Sequence, residues 1–280
     1  MNIKITSDST CDLPQHLLEQ YNISTFPLTI IKNGENFKDN VTITPADIFA
    51  HVAAGGNLCT TAACNPGDYQ EKFSQYTQEY DGILHISLGS AFSCSYQNAC
   101  LAAAEFDNVM VVDSQNLSTG QGHVVIYACQ QAHNCESLEQ LQADVQAYTE
   151  RVEASFLLDR LEYMVKGGRC SSAAALGANL LNLKPCSEVK GGKMSVVKKY
   201  RGNYAKCLEN YVKDRLLQRE DIIHDLLFVT YTPVSDQCLD AVRNAVSLCP
   251  EFNTVVECQA GCTISCHCGP GTLGVLFVRK

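Results

Sequence analysis

The chain has 280 residues, 46% of them hydrophobic and 18% charged, with a formal net charge of −9. That length and balance give one large domain or two of ordinary size, each with an apolar core, and exclude an intrinsically disordered chain. The acidic excess argues against nucleic acid or an anionic membrane surface as partner, and no apolar run approaches the roughly 18 residues of a membrane span. Met1-Asn2-Ile3-Lys4-Ile5-Thr6 is already strand-like, with no basic, apolar leader, so a cytoplasmic protein is expected. Many of the 16 cysteines, such as Cys100, Cys129 and Cys207, fall inside apolar helical runs and read as small hydrophobes and free thiols rather than a disulfide framework.

Asn2 to Thr6 reads as a first strand running into the polar loop Ser7-Asp8-Ser9-Thr10, and Pro14 opens a short helix to about Tyr21. Ser24 to Ile31 is expected as one strand, turned back at Lys32-Asn33-Gly34 into Glu35 to Lys38. Thr44 caps a helix that stops at Gly55-Gly56, Cys59 to Pro66 is read as loop, and Gly67 to Glu79 as helix. The strands 82–86 and 109–112 each end in a polar loop followed by a helix, over 97–105 and 118–133, and a further helix spans 137–151. This order predicts a parallel sheet with helices on both faces, its loops 7–10, 87–95 and 113–118 gathered at one edge.

The second half changes character. Ala154 to Leu158 reads as a strand, Arg160 to Lys166 as a helix stopped by Gly167-Gly168, and Ser171 to Leu181 as another helix. Pro185 to Lys190 and Lys193 to Lys199 flank Gly191-Gly192 as a hairpin, and Asn203 to Gln218 and Asp236 to Leu248 are helical. Leu226 to Tyr231, Thr254 to Cys258 and Leu273 to Val278 are further strands. The expectation is a two-domain α/β protein: an N-terminal parallel-sheet domain over 1–155 and a C-terminal α/β domain over 156–280 with a mixed or antiparallel sheet.

Ser87-Leu88-Gly89-Ser90-Ala91-Phe92-Ser93-Cys94-Ser95 places hydroxyls where a strand hands over to a helix, a setting suited to a small anion and equally to a plain serine cap. Gly269-Pro270-Gly271 follows His267, but no Gly-Lys-Ser/Thr makes it a nucleotide loop. Cys258, Cys262, Cys266 and Cys268 lack the paired spacing of a zinc knuckle and are read as thiols. Asp8 and Asp113 end strands and read as loop caps; holding Mg²⁺ is their alternative role. Leu157, Leu158, Leu161 and Met164 form an apolar stripe, either core or the lining of an apolar pocket, ahead of Arg169.

Six of these segments, in order along the whole chain, resemble the DegV family. They are Ser7-Asp8-Ser9-Thr10-Cys11-Asp12-Leu13, Ser93-Cys94-Ser95-Tyr96-Gln97, Val112-Asp113-Ser114 with Ser118-Thr119-Gly120, Leu161 to Lys166 with Gly167-Gly168-Arg169, Leu181 to Pro185, and His267 with Gly269-Pro270-Gly271. The resemblance implies a two-domain protein that binds one long-chain fatty acid in a buried tunnel and presents its carboxylate to a separate fatty acid kinase, which forms the acyl phosphate. It implies no catalysis by this chain alone, no cofactor and no metal. The family's carboxylate contacts fall on Thr61, Ser93 and His267. Its Arg, implicated in partner contact or phosphoryl transfer, falls on Arg169, and Leu158, Leu161 and Met164 are offered as acyl-tunnel residues. The chain departs from the family pattern at Ala62, Ala63 and Cys64, where Ser-Gln-Pro would follow Thr61, and at Cys94 in place of Gly. Two rivals stand beside this reading: a metal-dependent phosphotransferase or hydrolase using Asp8 and Asp113, and a zinc or redox sensor using the 258–268 cysteines.

Overall fold

The computed structural model describes residues 1–170 and 183–280; the helix expected over 171–181 lies outside the described residues, as do Leu181 and Asn182 of the fifth segment. In the first half, β1 (Ile3–Asp8), α1 (Gln15–Gln20), β2 (Ser24–Phe26), β3 (Thr29–Lys32), β4 (Glu35–Lys38), α2 (Pro45–Ala53), β5 (Thr60–Ala62), α3 (Pro66–Tyr76), β6 (Gly82–Ser87), α4 (Ser95–Ala103), β7 (Val109–Asp113), α5 (Ser118–Ala132) and α6 (Leu138–Tyr148) follow in turn. β2, β1, β6 and β7 form one sheet in that order, every pair parallel. Both faces of this sheet are covered, so β6 is buried at all six positions and shows no alternation in its sequence.

The strand expected over 24–31 is two strands in different sheets. Pro27 lies between them, and with no N–H to give it cannot continue the ladder from β2. β3 instead pairs antiparallel with β4 and with β5, forming a small third sheet in which Thr61 stands opposite Ile30. The 59–66 stretch is therefore not all loop. Asn33 and Gly34 both take positive φ (52° and 81°), which is what a two-residue hairpin turn of this hand requires. Thr44 and Asp47 form a reciprocal capping box on α2, as its cap position predicts.

The second half contributes β8 (Val152–Leu158), α7 (Glu162–Gly167), β9 (Leu183–Lys190), β10 (Lys193–Arg201), α8 (Tyr204–Leu216), β11 (Ile222–Tyr231), α9 (Asp236–Val246), β12 (Thr254–Gln259), α10 (Cys262–Cys268) and β13 (Thr272–Arg279). Its sheet runs β10-β9-β8-β13-β11-β12 and is antiparallel except for the parallel pair β11 and β12. The 3₁₀ turn Thr149–Arg151 leads into it, and β8 passes residue 155 as an unbroken strand. α10 is an element the sequence did not announce: seven residues of Cys, Thr, Ser, His and Ile carry neither strong helix propensity nor a readable period.

α5 joins the two sheets. Twelve of its fifteen residues are buried, because it packs between β1 and β6 on one side and β8, β11 and β13 on the other. Thr119 Oγ1 meets Thr230 Oγ1 of β11 at 2.6 Å, and His123 Nε2 meets the Leu276 carbonyl of β13 at 3.0 Å. Gly120 allows the close approach: a Cβ there would stand 3.1 Å from that of Ala154 and 2.1 Å from Asn116 Oδ1.

Candidate functional site: a cavity between the sheets

Each polar residue of the site comes from a different element. Thr61 sits on β5, Ser93 in the loop between β6 and α4, His267 on α10, and Arg169 just after the Gly-Gly end of α7. All four line one cavity, which with its mouth encloses about 580 Å³ of empty space. Met164 of α7 also lines it, with Leu28, Leu88, Phe92, Leu117, Met194 and Ile264. Leu158 and Leu161 do not. Leu158 is fully buried in the cluster with Phe156, Met164, Cys170 and Cys268, behind the cavity wall, and Leu161 packs against that cluster. Of the three, only Met164 lines the cavity.

The polar end is organised around His267. Its Nε2 lies 2.9 Å from Thr61 Oγ1, and its Nδ1 is buried with no hydrogen-bond partner. Ser93 Oγ accepts the Ser95 N–H at 3.1 Å and lies 2.9 Å from Ser95 Oγ, which fixes it at the start of α4. Gly167 makes the imidazole's position possible, since a Cβ at 167 would be 2.5 Å from His267 Nδ1. Gly269, at φ 74°, lies where a Cβ would be 2.4 Å from the Tyr163 ring. The two glycine segments 167–168 and 269–271 thus serve one local packing problem: α7 and α10 close on each other around His267 and Tyr163. Arg169 is exposed at the rim and donates from Nη1 to the Gly167 carbonyl at 2.7 Å.

Burial, with the Arg169 guanidinium adding to it, pushes His267 down to about 4, so the ring is a neutral hydrogen-bonding group at pH 7. Burial does the same to His123, also to about 4. Both sites have folded values below the 6.5 of a free imidazole, so their contribution is present above pH 6.5 and is lost as the pH falls through 4. Urea unfolding midpoints are accordingly expected to fall between pH 6.5 and 4, and more shallowly in His267→Gln; a midpoint flat across that window would contradict the burial of these rings.

A second cavity adjoins the first. It shares Leu117, Ile264 and Cys268 with the first and runs on between α5 and the second sheet, past Ala154, Phe156, Gly274 and Leu276. Hydroxyls near it are already engaged: Thr230 with Thr119, Thr232 with the Thr272 carbonyl, and Thr272 with the Cys268 carbonyl. The walls it offers are therefore apolar. The pair of cavities has a polar end at Thr61, Ser93 and His267 and an apolar interior.

The remaining sequence candidates have other roles. Asp8 is fully buried and accepts hydrogen bonds from the Tyr69 and Ser87 hydroxyls and the Leu88 N–H. Asp113 accepts from the Ser90 N–H and hydroxyl and the Gln115 N–H. Both are loop caps. The cysteines of 258–268 disperse: Cys258 joins the main core, Cys262 and Cys266 the cluster with Ile30 and Ile48, and Cys268 the cluster with Met164. No group of three or more His, Cys, Asp or Glu side chains is arranged to hold a metal among the described residues. Among the departures from the family pattern, Ala63 lines the cavity, whereas Ala62 and Cys94 are exposed.

A DegV domain-containing protein of Clostridium acetobutylicum is 30% identical over 282 residues, covering 99% of each chain. The solved structure of a DegV family protein from Thermus thermophilus, described as fatty acid binding, superposes with a TM-score of 0.90 at 29% identity over the full length of both chains. A hypothetical protein of Thermotoga maritima, whose structure is described as revealing a fatty acid binding function, has a TM-score of 0.83 at 25% identity and 99% coverage of both. No helix among the described residues is long and apolar enough to cross a membrane. The model of the family described as "Uncharacterised protein, DegV family" matches residues 2–280, and the chain belongs to that family.

Proposed function

We propose that this protein binds one long-chain fatty acid, with the carboxylate at Thr61, Ser93 and His267 and the acyl chain in the paired cavities. The observation that carries this is the convergence of two hydroxyls and a neutral imidazole at one end of a space whose other described walls are mostly apolar. The fatty-acid-binding structures from Thermus thermophilus and Thermotoga maritima support it. The tail supplies most of the affinity, at about 0.8 kcal/mol per buried CH₂. The polar trio offsets the desolvation of the head and orients it.

The protein is a cytoplasmic, non-catalytic subunit that needs no cofactor, and a separate kinase converts the presented carboxylate to the acyl phosphate. The polar end supports this division of labour: it provides hydrogen-bond donors for a carboxylate, while the two strand-end aspartates are already engaged as loop caps. Arg169, at the rim of the same cavity, is the residue assigned in this reading to meet the partner or the transferred phosphoryl group. Ser93→Ala tests the arrangement. Its palmitate affinity is expected to fall by only about three- to tenfold, one hydrogen bond's worth. Acyl phosphate formation by a fatty acid kinase and ATP should fall further, because the head is no longer held in one orientation. An unchanged phosphorylation rate would remove Ser93 from this role.

A further inference from the structure

The helix that carries His267 is held at its other end by two carboxylates from the first half of the chain. Asp39 Oδ1 accepts the Cys262 N–H at 2.9 Å, and its Oδ2 accepts the Thr263 hydroxyl at 2.7 Å, the Ser9 hydroxyl at 2.8 Å and the Thr263 N–H at 3.4 Å. Asp12 Oδ1 accepts the Gly261 N–H at 2.9 Å, and its Oδ2 lies 2.6 Å from Ser118 Oγ. Asp12 and Asp39 are buried, at 6% and 1% exposure. The fit around Gly261 is close: a Cβ there would stand 2.8 Å from Asp12 Oδ1 and 2.6 Å from Asn40 Nδ2. α10 has seven residues, a rod of about 10 Å, so displacement of its first turn is passed to its last.

We infer that Asp12 and Asp39 are positioning residues for the carboxylate-binding end of the cavity, setting where His267 stands by gripping the start of its helix. This rests on the fatty-acid reading of that cavity. The two acids face different sets of donors. Asp39 faces four donors, an arrangement only a carboxylate satisfies. Asp12 faces one N–H and one hydroxyl, and a hydroxyl can give or take a hydrogen bond, so Asp12 can keep a proton without losing either contact.

Burial pushes the Asp12 carboxyl up to about 8, opposed by the Ser118 and Gly261 hydrogen bonds and helped by Asp39. The other titratable groups facing it are Asp39, Cys11, Cys258, Cys262 and Cys268. Burial raises Cys11, Cys258 and Cys268 to about 12 and raises Cys262 as well, so these thiols stay neutral between pH 7 and 9. Ionisation of Asp12 in that window strengthens its hold on the Gly261 N–H and puts a second buried negative charge beside Asp39, so the Gly261–Cys262 end shifts.

The test is NMR of the full-length, ligand-free protein, following the His267 Cε1–Hε1 resonance (assigned by its loss in His267→Gln) from pH 7 to 9. Palmitate affinity is measured alongside by calorimetry. In the wild type the resonance is expected to move with a midpoint near pH 8, and palmitate affinity to change with the same midpoint. Asp12→Asn keeps both contacts with no proton to lose, and neither quantity should then depend on pH. Asp39→Asn should show a displaced His267 resonance already at pH 7; should that variant fail to fold, the comparison with Asp12→Asn decides alone. Persistence of the pH-dependent shift in Asp12→Asn, or a wild-type resonance in folded Asp39→Asn, would overturn the inference. A wild type that binds no palmitate yet shows the expected resonance shifts would sink the fatty-acid reading and leave the positioning role standing.

Discussion

Gly167→Ala is expected to lower fatty-acid affinity by roughly ten- to a hundredfold while leaving the protein folded. Two effects oppose each other at this position. Gly167 is the last residue of α7, and helix propensity alone favours alanine by up to about 1 kcal/mol. The added Cβ, however, would lie 2.5 Å from His267 Nδ1, closer than such atoms approach. Either the imidazole turns away from Thr61 or α7 backs off from α10, and in both cases the head loses a donor. Hydrogen bonds to a charged group are worth about 1.5–3 kcal/mol, which sets the size of the loss. Calorimetric titration with palmitate beside a thermal melt separates the outcomes: weaker binding with a near-unchanged melt is expected, whereas unchanged affinity would mean that the ring has no fixed role.

Asp8→Asn should be the most destabilising conservative change in the first half, by about 3–5 kcal/mol. Asp8 Oδ1 accepts the Tyr69 hydroxyl at 2.6 Å with His85 Nε2 at 3.4 Å, and Oδ2 accepts the Ser87 hydroxyl at 2.8 Å and the Leu88 N–H at 2.7 Å. An amide must turn its NH₂ toward one of these two sets of partners, in a site that is fully buried. Burial works to raise the Asp8 carboxyl, but His85, Tyr69 and Leu88 together hold it below the usual carboxylate range. A folded value below the unfolded 3.8 means that the stabilisation is present above pH 3.8 and is lost as pH falls through the lower folded value. Urea unfolding should therefore show the full penalty at pH 7 and a shrinking one below pH 4. Because Leu88 lines the cavity and opens the loop to Ser93, the same substitution should also weaken binding.

The parts of the fold that could be read from residues were those with local causes. Asn33-Gly34 and Gly191-Gly192 take positive φ at both positions, as their hairpins need, and Thr44 caps α2 with Asp47 in return. The strand-end loops 87–95 and 113–118 do meet, with the Gly89 N–H on the Asn116 carbonyl and Leu88, Phe92, Ser93 and Leu117 on one cavity wall. What stayed hidden depends on distant partners. β5 is a strand only because β3 leaves the first sheet at Pro27 and offers it an edge. α10 is a helix whose start is fixed by Asp12 and Asp39, 249 and 223 residues away. The stripe Leu158, Leu161, Met164 shows which residues avoid water but not which cavity they face, and Leu28, Met194 and Ile264 had no local feature to single them out.

The most direct measurement is native mass spectrometry of the purified full-length protein, followed by denaturing spectra and extraction of any small molecule. A bound fatty acid occupying the paired cavities predicts one added mass in the range of a long-chain fatty acid, lost on denaturation and recovered in the extract. The same mass should be largely absent from Gly167→Ala. A bare protein that also takes up no added palmitate would contradict the assignment of the cavity to a fatty acid.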